Sequence, residues 1–345
     1  MSNVTLRTYW SLLPVPLIAM YKATVTNAQS TDTPDPFQLQ LQLSPSLTLL
    51  APANIFFAIE TQSGIVFCPS WYEGNGIMWI KTPKIPANTT YNLYAYQSTA
   101  SLMDGINVGE APQLSSKYGQ YDNGANIFTF YDNFAGTSLN TTKWKTYGSP
   151  SITVNNGLTL SSSSSGTWMG IYTASPYNPQ ALVNDFYAYF TGLVGSQYGP
   201  EQTIGWGPGG YPSSAYNLGD YYSTTEYNLW NWNNQISAGN GVMISGGSTS
   251  SYQVWSLWAT SSASYLSLNY RSPVSNSVDF VAMTSAVTGV GSMTTSYQIK
   301  VQWFRLRAYP PNGVMPSVSS FALSTDPEGL EAGASIYESI WGGMV

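Results

Sequence analysis

Residues 151–160 read S-I-T-V-N-N-G-L-T-L. Ile152-Thr153-Val154 and Leu158-Thr159-Leu160 flank Asn155-Asn156-Gly157, residues that tolerate positive φ, so the stretch predicts a β-hairpin. The same two-residue period extends outward through the chain. Phe37-Gln38-Leu39-Gln40-Leu41-Gln42-Leu43 alternates strictly and predicts a strand with one apolar and one amide face. Ile77 to Lys81 and Tyr91 to Tyr96 predict further strands, joined by the turn-rich residues 82–88. Ile299, Val301 and Trp303 share one face, after which the apolar phase moves to Phe304, Leu306 and Ala308; such a slip predicts a β-bulge. Helical periodicity is confined to the C-terminus, where Asp326 reads as an N-cap and Pro327 as the first helical residue. Gly329 and Gly333 lower the helical propensity of the segment that follows.

The chain has 345 residues, of which 8% are charged: 11 Lys or Arg against 17 Asp or Glu, with no His and one cysteine. An ordinary soluble domain carries about 25%. Aromatic content of 14% argues against disorder. Absence of His excludes Ser-His-Asp and Cys-His nucleophile systems and His-ligated metals. Cys68 alone excludes an internal disulfide and a thiolate cluster. With 11 cations and a net charge of −6, the sequence predicts no nucleic-acid binding. A sequence pI near 4.5 and few carboxylates to pair favour an acid setting, with a glycan-facing protein at neutral pH as the alternative.

The most apolar early run, Leu12 to Tyr21, holds Pro14 and Pro16 and is about half the roughly 20 residues a membrane-spanning helix needs. It reads as an edge strand or docking segment, and residues 1–20 show no clear leader. A shift in composition near residue 120 separates a Pro-rich strand-forming part from a region dense in Tyr, Trp, Asn, Ser and Gly.

Between Tyr118 and Trp144 the chain reads YGQYDNGANIFTFYDNFAGTSLNTTKW, followed by the V-N-N-G-L-T-L hairpin. This pairing resembles the opening of a concanavalin-like (laminin-G-like) jelly roll found in archaeal cell-surface and secreted proteins. Residues 298–315, QIKVQWFRLRAYPPNGVM, are similar to its closing strand. Residues 23–43, 78–96 and 103–126 resemble an uncharacterised β-domain that precedes that jelly roll. The resemblance implies an all-β chain with an N-terminal β-sandwich at 1–118 and a jelly roll at 119–316. Residues 317–345 lie outside the resemblance and read as a short helical tail, either a docking element or a helix packed on its own domain. No settled activity comes with the family.

Jelly-roll hydrolases need two carboxylates roughly 5 to 9 Å apart. Glu201, Asp220 and Glu226 are the nearest candidates and none has a carboxylate at i+2 or i+4. The chain is therefore read as a non-enzyme with no catalytic residues assigned, a glycan-processing enzyme standing as the alternative. Calcium is a possible cofactor, with Asp132-Asn133, Asp185 and Asp122-Asn123 as oxygen donors; the metal site is otherwise unassigned. The strongest binding composition lies between Gly205 and Trp258, where aromatics that also suit a core alternate with amides. Candidate carbohydrate-binding residues are Trp206, Tyr211, Tyr221, Tyr222, Trp230, Asn231, Trp232 and Asn233. Sequons at Asn3, Asn88 and Asn140 are candidate glycosylation sites. Together these readings describe an extracellular, cell-surface or virion-surface structural or adhesion protein of an acid-adapted archaeal system. Its partners would be glycans or glycoproteins and further copies of itself, or, in the second alternative, only neighbouring subunits of a capsid or filament.

Overall fold

Alternating apolar residues need a second layer to cover them, and the chain supplies four antiparallel-rich sheets arranged in two sandwiches. The computed structural model describes residues 17–43, 47, 52–191, 202–207, 215–223, 226–232, 242–278, 280 and 282–342. The fold is all-β with a short C-terminal helix. One unit comprises residues 1–128 and 310–345 and the other residues 129–309.

In the first unit a six-stranded sheet is built on Leu17–Asn27, which pairs with Thr89–Ser98 on one side and with Ser317–Val318 and Ala322–Leu323 on the other. The predicted edge segment thus ends in an interior strand; its residues 12–16 lie outside the described residues. Ile55–Thr61 and Gly64–Cys68 complete this sheet. The four-stranded sheet contains Phe37–Gln42, Ile77–Thr82, Ser70–Gly74 and Val108–Glu110. The strands predicted on either side of residues 82–88 therefore belong to different sheets. The Phe37–Gln42 strand also departs from a clean amide face: Gln38 is buried, and its Nε2 donates to the Ile127 carbonyl at 3.1 Å.

The boundary expected at 118 falls after Phe128. Residues 119–128 are tied to the four-stranded sheet by side chains. Asn123 donates to the Ser70 carbonyl, Trp71 donates its indole N–H to Asp122, and Phe128 packs edge-on against Trp71 and Trp79. The tail also belongs to this unit rather than standing apart. Val25 pairs with Val318 and Tyr21 with Leu323, and the helix Pro327–Trp341 then buries Leu330, Tyr337 and Trp341 against Met20, Phe56, Tyr94 and Tyr96. Its N-cap is Asp326, as the sequence predicts. The Asp326 carboxylate takes Lys22 Nζ at 2.7 Å, and the Tyr96 hydroxyl donates to the Gly329 carbonyl at 2.8 Å. The two helical glycines lie at the contact: a Cβ on Gly333 would sit 2.2 Å from the Tyr96 ring and one on Gly329 2.7 Å from the Tyr94 ring. What looks like poor helix propensity is the condition for the helix to reach the sheet.

The second unit pairs a seven-stranded with an eight-stranded sheet as a jelly-roll sandwich. The hairpin predicted at 151–160 forms between Ser151–Val154 and Leu158–Ser161, with φ of 49° at Asn156 and 127° at Gly157. Its core joins Phe186, Phe190, Trp255, Phe304 and Leu306 of the eight-stranded sheet to Ile171, Ile204, Trp206, Tyr227 and Val290 of the other.

Because the helix seats on glycine, Gly333→Ala should destabilise the protein by about 1–3 kcal/mol through overpacking, despite the better helix propensity of Ala. Ser335→Ala on the exposed side of the same helix should be neutral or slightly stabilising. Urea denaturation of the two variants separates these outcomes.

Candidate functional site

The eight-stranded sheet has a second face, and its residues follow from the register. Leu182–Phe190 sends Phe186, Ala188 and Phe190 into the core, so Asp185, Tyr187 and Tyr189 take the opposite face. On the paired strand Ile299–Ala308 the register shifts: Tyr187 faces Trp303, while Ala188 faces Val301. Gln302 is the extra residue. The predicted slip is therefore present, but it falls before Trp303 rather than after it. Trp303 leaves the face of Ile299 and Val301 and joins Arg305 and Arg307 beside Asp185, Tyr187 and Tyr189.

Aromatic rings line this face. Tyr187 stacks on Trp303 with centroids 5.3 Å apart and on Tyr252 at 5.2 Å, and Tyr189 meets Tyr252 edge-on at 4.8 Å. On the neighbouring strand pair Trp258 and Tyr265 stack at 5.4 Å, with only 5° between their planes. Tyr187, Tyr189, Tyr252, Trp258 and Tyr265 are half-buried, whereas Trp303 is fully covered. Lys300 Nζ lies 5.8 Å from the centre of the Tyr189 ring.

A buried ionic cluster borders the row on the same face. Asp185 Oδ2 accepts from Arg305 Nε and from Arg307 Nε, each at 2.8 Å. Arg305 also donates to the Tyr270 hydroxyl at 2.6 Å, and its guanidinium lies over Trp303 at 4.7 Å. Burial alone would push the Asp185 carboxyl up; the adjacent Arg307 and Arg305 outweigh it and hold the group below the usual carboxylate range. Burial raises the Tyr252 phenol to about 12, so it stays a neutral donor.

The residues singled out from sequence go to different places. Trp206 is fully buried in the sandwich core on Gln202–Gly207, which gives it no face for a sugar. Asn231 is buried as well: it donates to the Asn276 and Val278 carbonyls and accepts from Ser264 Oγ, pinning the edge strand Val274–Asn276. Tyr221 and Tyr222 lie on the strand Ala215–Ser223 and Trp230 and Trp232 on Glu226–Trp232, where Trp230 pairs with Asn217 and Trp232 with Ala215. Tyr211, Asn233, Glu201 and Asn3 lie outside the described residues. Asp220 pairs with Tyr227 and Glu226 with Ser223 on those same strands. Asn88 and Asn140 are both exposed.

The carboxylates considered for calcium are engaged elsewhere. Asp132 accepts the Trp144 indole N–H at 2.6 Å, Asp122 accepts from Trp71 and the Gly124 amide, and Asp185 is held by arginines. Among the described residues no three His, Cys, Asp or Glu side chains cluster as a metal site.

Of the aromatic row, Tyr252 and Trp258 fall in the stretch that composition marks, whereas Tyr187, Tyr189, Tyr265 and Trp303 lie outside it. The missed signal is parity. In 185–189, D-F-Y-A-Y puts Asp and both Tyr on one face, and R-L-R at 305–307 does the same for the cations.

Comparison with known proteins places the chain beside uncharacterised relatives. A family model described as a domain of unknown function, DUF2341, matches residues 69–147. Uncharacterized protein 562 of Sulfolobus islandicus rod-shaped virus 1 is 29% identical over 346 aligned residues, covering 89% of this chain. The chain spans 60% of that relative's length. Among solved structures, one from work on endo-acting O-glycanases of the human gut microbiota is 15% identical and covers 52% of this chain and 99% of its own, with a TM-score of 0.39. The apo Crh5 transglycosylase is 10% identical, covering 58% and 89%, at 0.40. The laminarinase catalytic domain of Thermotoga petrophila RKU-1 is 9% identical, covering 52% and 96%, at 0.37.

Removing the shared carboxylate should be costly. Asp185→Asn leaves two buried guanidiniums without their counter-ion and should destabilise the protein by about 3–5 kcal/mol at neutral pH. The folded-state value lies below the ordinary 3.8, so the contribution is present above pH 3.8 and is lost as pH falls through the lower folded value. Urea titrations at stepped pH should show the gap between wild type and variant closing in acid.

Proposed function

We propose that this chain is a structural or adhesion subunit exposed on a virus particle, and that its jelly roll contacts glycans through the outer face of the eight-stranded sheet. The observation that carries this reading is the row of half-buried rings, Tyr187, Tyr189 and Tyr252, continued by the Trp258–Tyr265 pair. Aromatic faces beside a few fixed polar groups are what a neutral, hydroxyl-rich ligand requires. Rings stacked on one another are also preorganised, which reduces the entropy lost on binding. The relative from a rod-shaped virus supports the particle setting. Partners on this reading are surface glycans or glycoproteins and neighbouring copies of the chain, outside the cell and in acid.

The same reading takes the protein as a binder. Asp185 is the carboxylate placed on this face among the described residues, and two guanidiniums hold it ionised and hydrogen-bonded. It lacks the proton of a general acid, and both of its oxygens face guanidiniums.

Oligosaccharide titration of the full chain tests the proposal, followed by protein NMR or on a glycan array. Tyr252→Ala and Trp258→Ala should each weaken binding at least about fivefold, taking a ring contact to be worth about 1–3 kcal/mol as in base–aromatic stacking. Retained affinity in both would overturn the assignment. Loss confined to Trp230→Ala would move the site to the strands Ala215–Ser223 and Glu226–Trp232.

A further inference from the structure

The two sequons among the described residues differ in their surroundings. Asn88 immediately precedes the strand Thr89–Ser98. Thr90, which carries the hydroxyl of that sequon, is already in the ladder opposite Thr26, and the two Oγ1 atoms lie 2.9 Å apart. The Asn88 backbone amide is tied to the Gln29 carbonyl. A transferase that needs the Asn and its +2 hydroxyl together would have to strip this strand from its neighbour.

Asn140 sits in a turn where Asn140, Thr141 and Thr142 are all exposed. Its Oδ1 accepts from the Thr142 amide at 3.0 Å and from the Thr142 hydroxyl at 2.7 Å. The Lys143 and Trp144 amides both donate to its carbonyl oxygen, so the turn is anchored at the buried Trp144 and open at its tip. A carboxamide nitrogen is a poor nucleophile because its lone pair is delocalised into the C=O bond. Two donors on Oδ1 draw density from the group and make its N–H easier to deprotonate, while Nδ2 has no hydrogen-bond partner among the described residues.

We propose that Asn140 is an N-glycosylation site and that Asn88 is not. The donor is a polyprenyl-diphosphate-linked oligosaccharide. Asn140 Nδ2 attacks its anomeric carbon and forms the N–C bond. The bond from that carbon to the diphosphate oxygen breaks, the diphosphate leaves with the electron pair, and the amide proton passes to a base of the transferase. The inference stands apart from the glycan-contacting reading, since here the protein carries sugar rather than binds it. A hydrated glycan at this turn would take over part of the solubilising role that charge plays on other surfaces.

Tryptic mapping by mass spectrometry of the full chain made in its native host decides the matter. Cleavage after Lys84, Lys117 and Lys143 places Asn88 in the peptide 85–117 and Asn140 in the peptide 118–143. The second should carry a hexose-containing mass increment and the first none. Thr142→Ser should keep the increment, and Thr142→Val should abolish it without altering the fold. An unmodified 118–143 peptide, an increment on 85–117, or an increment surviving Thr142→Val would each overturn the proposal.

Discussion

One extra residue, Gln302, sets the two faces of the jelly roll. A strand's side chains alternate with a period of two, so an inserted residue exchanges the faces of everything beyond it. Ile299 and Val301 are in the core before the insertion, and Phe304 and Leu306 are in the core after it. Without the bulge Arg305 and Arg307 would point into the sandwich and Phe304 and Leu306 would leave it. Two guanidiniums taken from water need a counter-ion, and Asp185 provides it from the adjacent strand, directly opposite Arg305. The triad then holds register on the outer face while aromatic packing holds it on the inner one, Phe186 against Phe304 at 4.5 Å. The ring row rests on both.

A chain so poor in cations satisfies its buried carboxylates in another way. Glu73 and Asp132, both buried, accept indole N–H groups from Trp79 and Trp144 at 2.8 and 2.6 Å, and the half-buried Asp122 accepts that of Trp71 at 2.8 Å. An indole donates whatever the pH, and a protonated carboxyl still offers an acceptor oxygen. Ion pairs such as Lys22–Asp326 and Asp185 with its arginines weaken when acid removes the negative charge, whereas the indole pairs keep a hydrogen bond. Three of the 12 tryptophans thus stand where a more charged chain would place a cation.

Local chemistry made part of this legible and long-range pairing hid the rest. The 151–160 hairpin, the Asp326 N-cap and the slip in 299–308 are set by residues a few positions apart, and the sequence shows them. That Ile77–Thr82 and Thr89–Ser98 enter different sheets depends on Phe37–Gln42 and Leu17–Asn27, which alternation cannot choose between. Composition likewise marks 205–258 as aromatic without sorting it. Trp255 is core and Tyr252 and Trp258 are not, because they stand an odd number of positions away on the same run. Parity carried that information where composition did not. Trp206 and Asn231 are buried, and the sequence does not show it, because a Trp or Asn beside glycans and a Trp or Asn in a core look alike until their partners are known.

The topology also orders assembly of the molecule. The jelly-roll unit is inserted between residue 128 and residue 310 of the other unit, whose strand Leu17–Asn27 is made interior by Ser317–Val318 and Ala322–Leu323. Those pairings span nearly the whole chain, so their loop-closure cost falls by about 1 kcal/mol once the inserted unit has folded and brought its ends into fixed positions. Until then Met20, Phe56, Tyr94 and Tyr96 lack the helix that buries them. The glycines at 329 and 333 belong to this last step: they give up helix stability in isolation, where it is not needed, and gain close contact once the sheet is there to receive them.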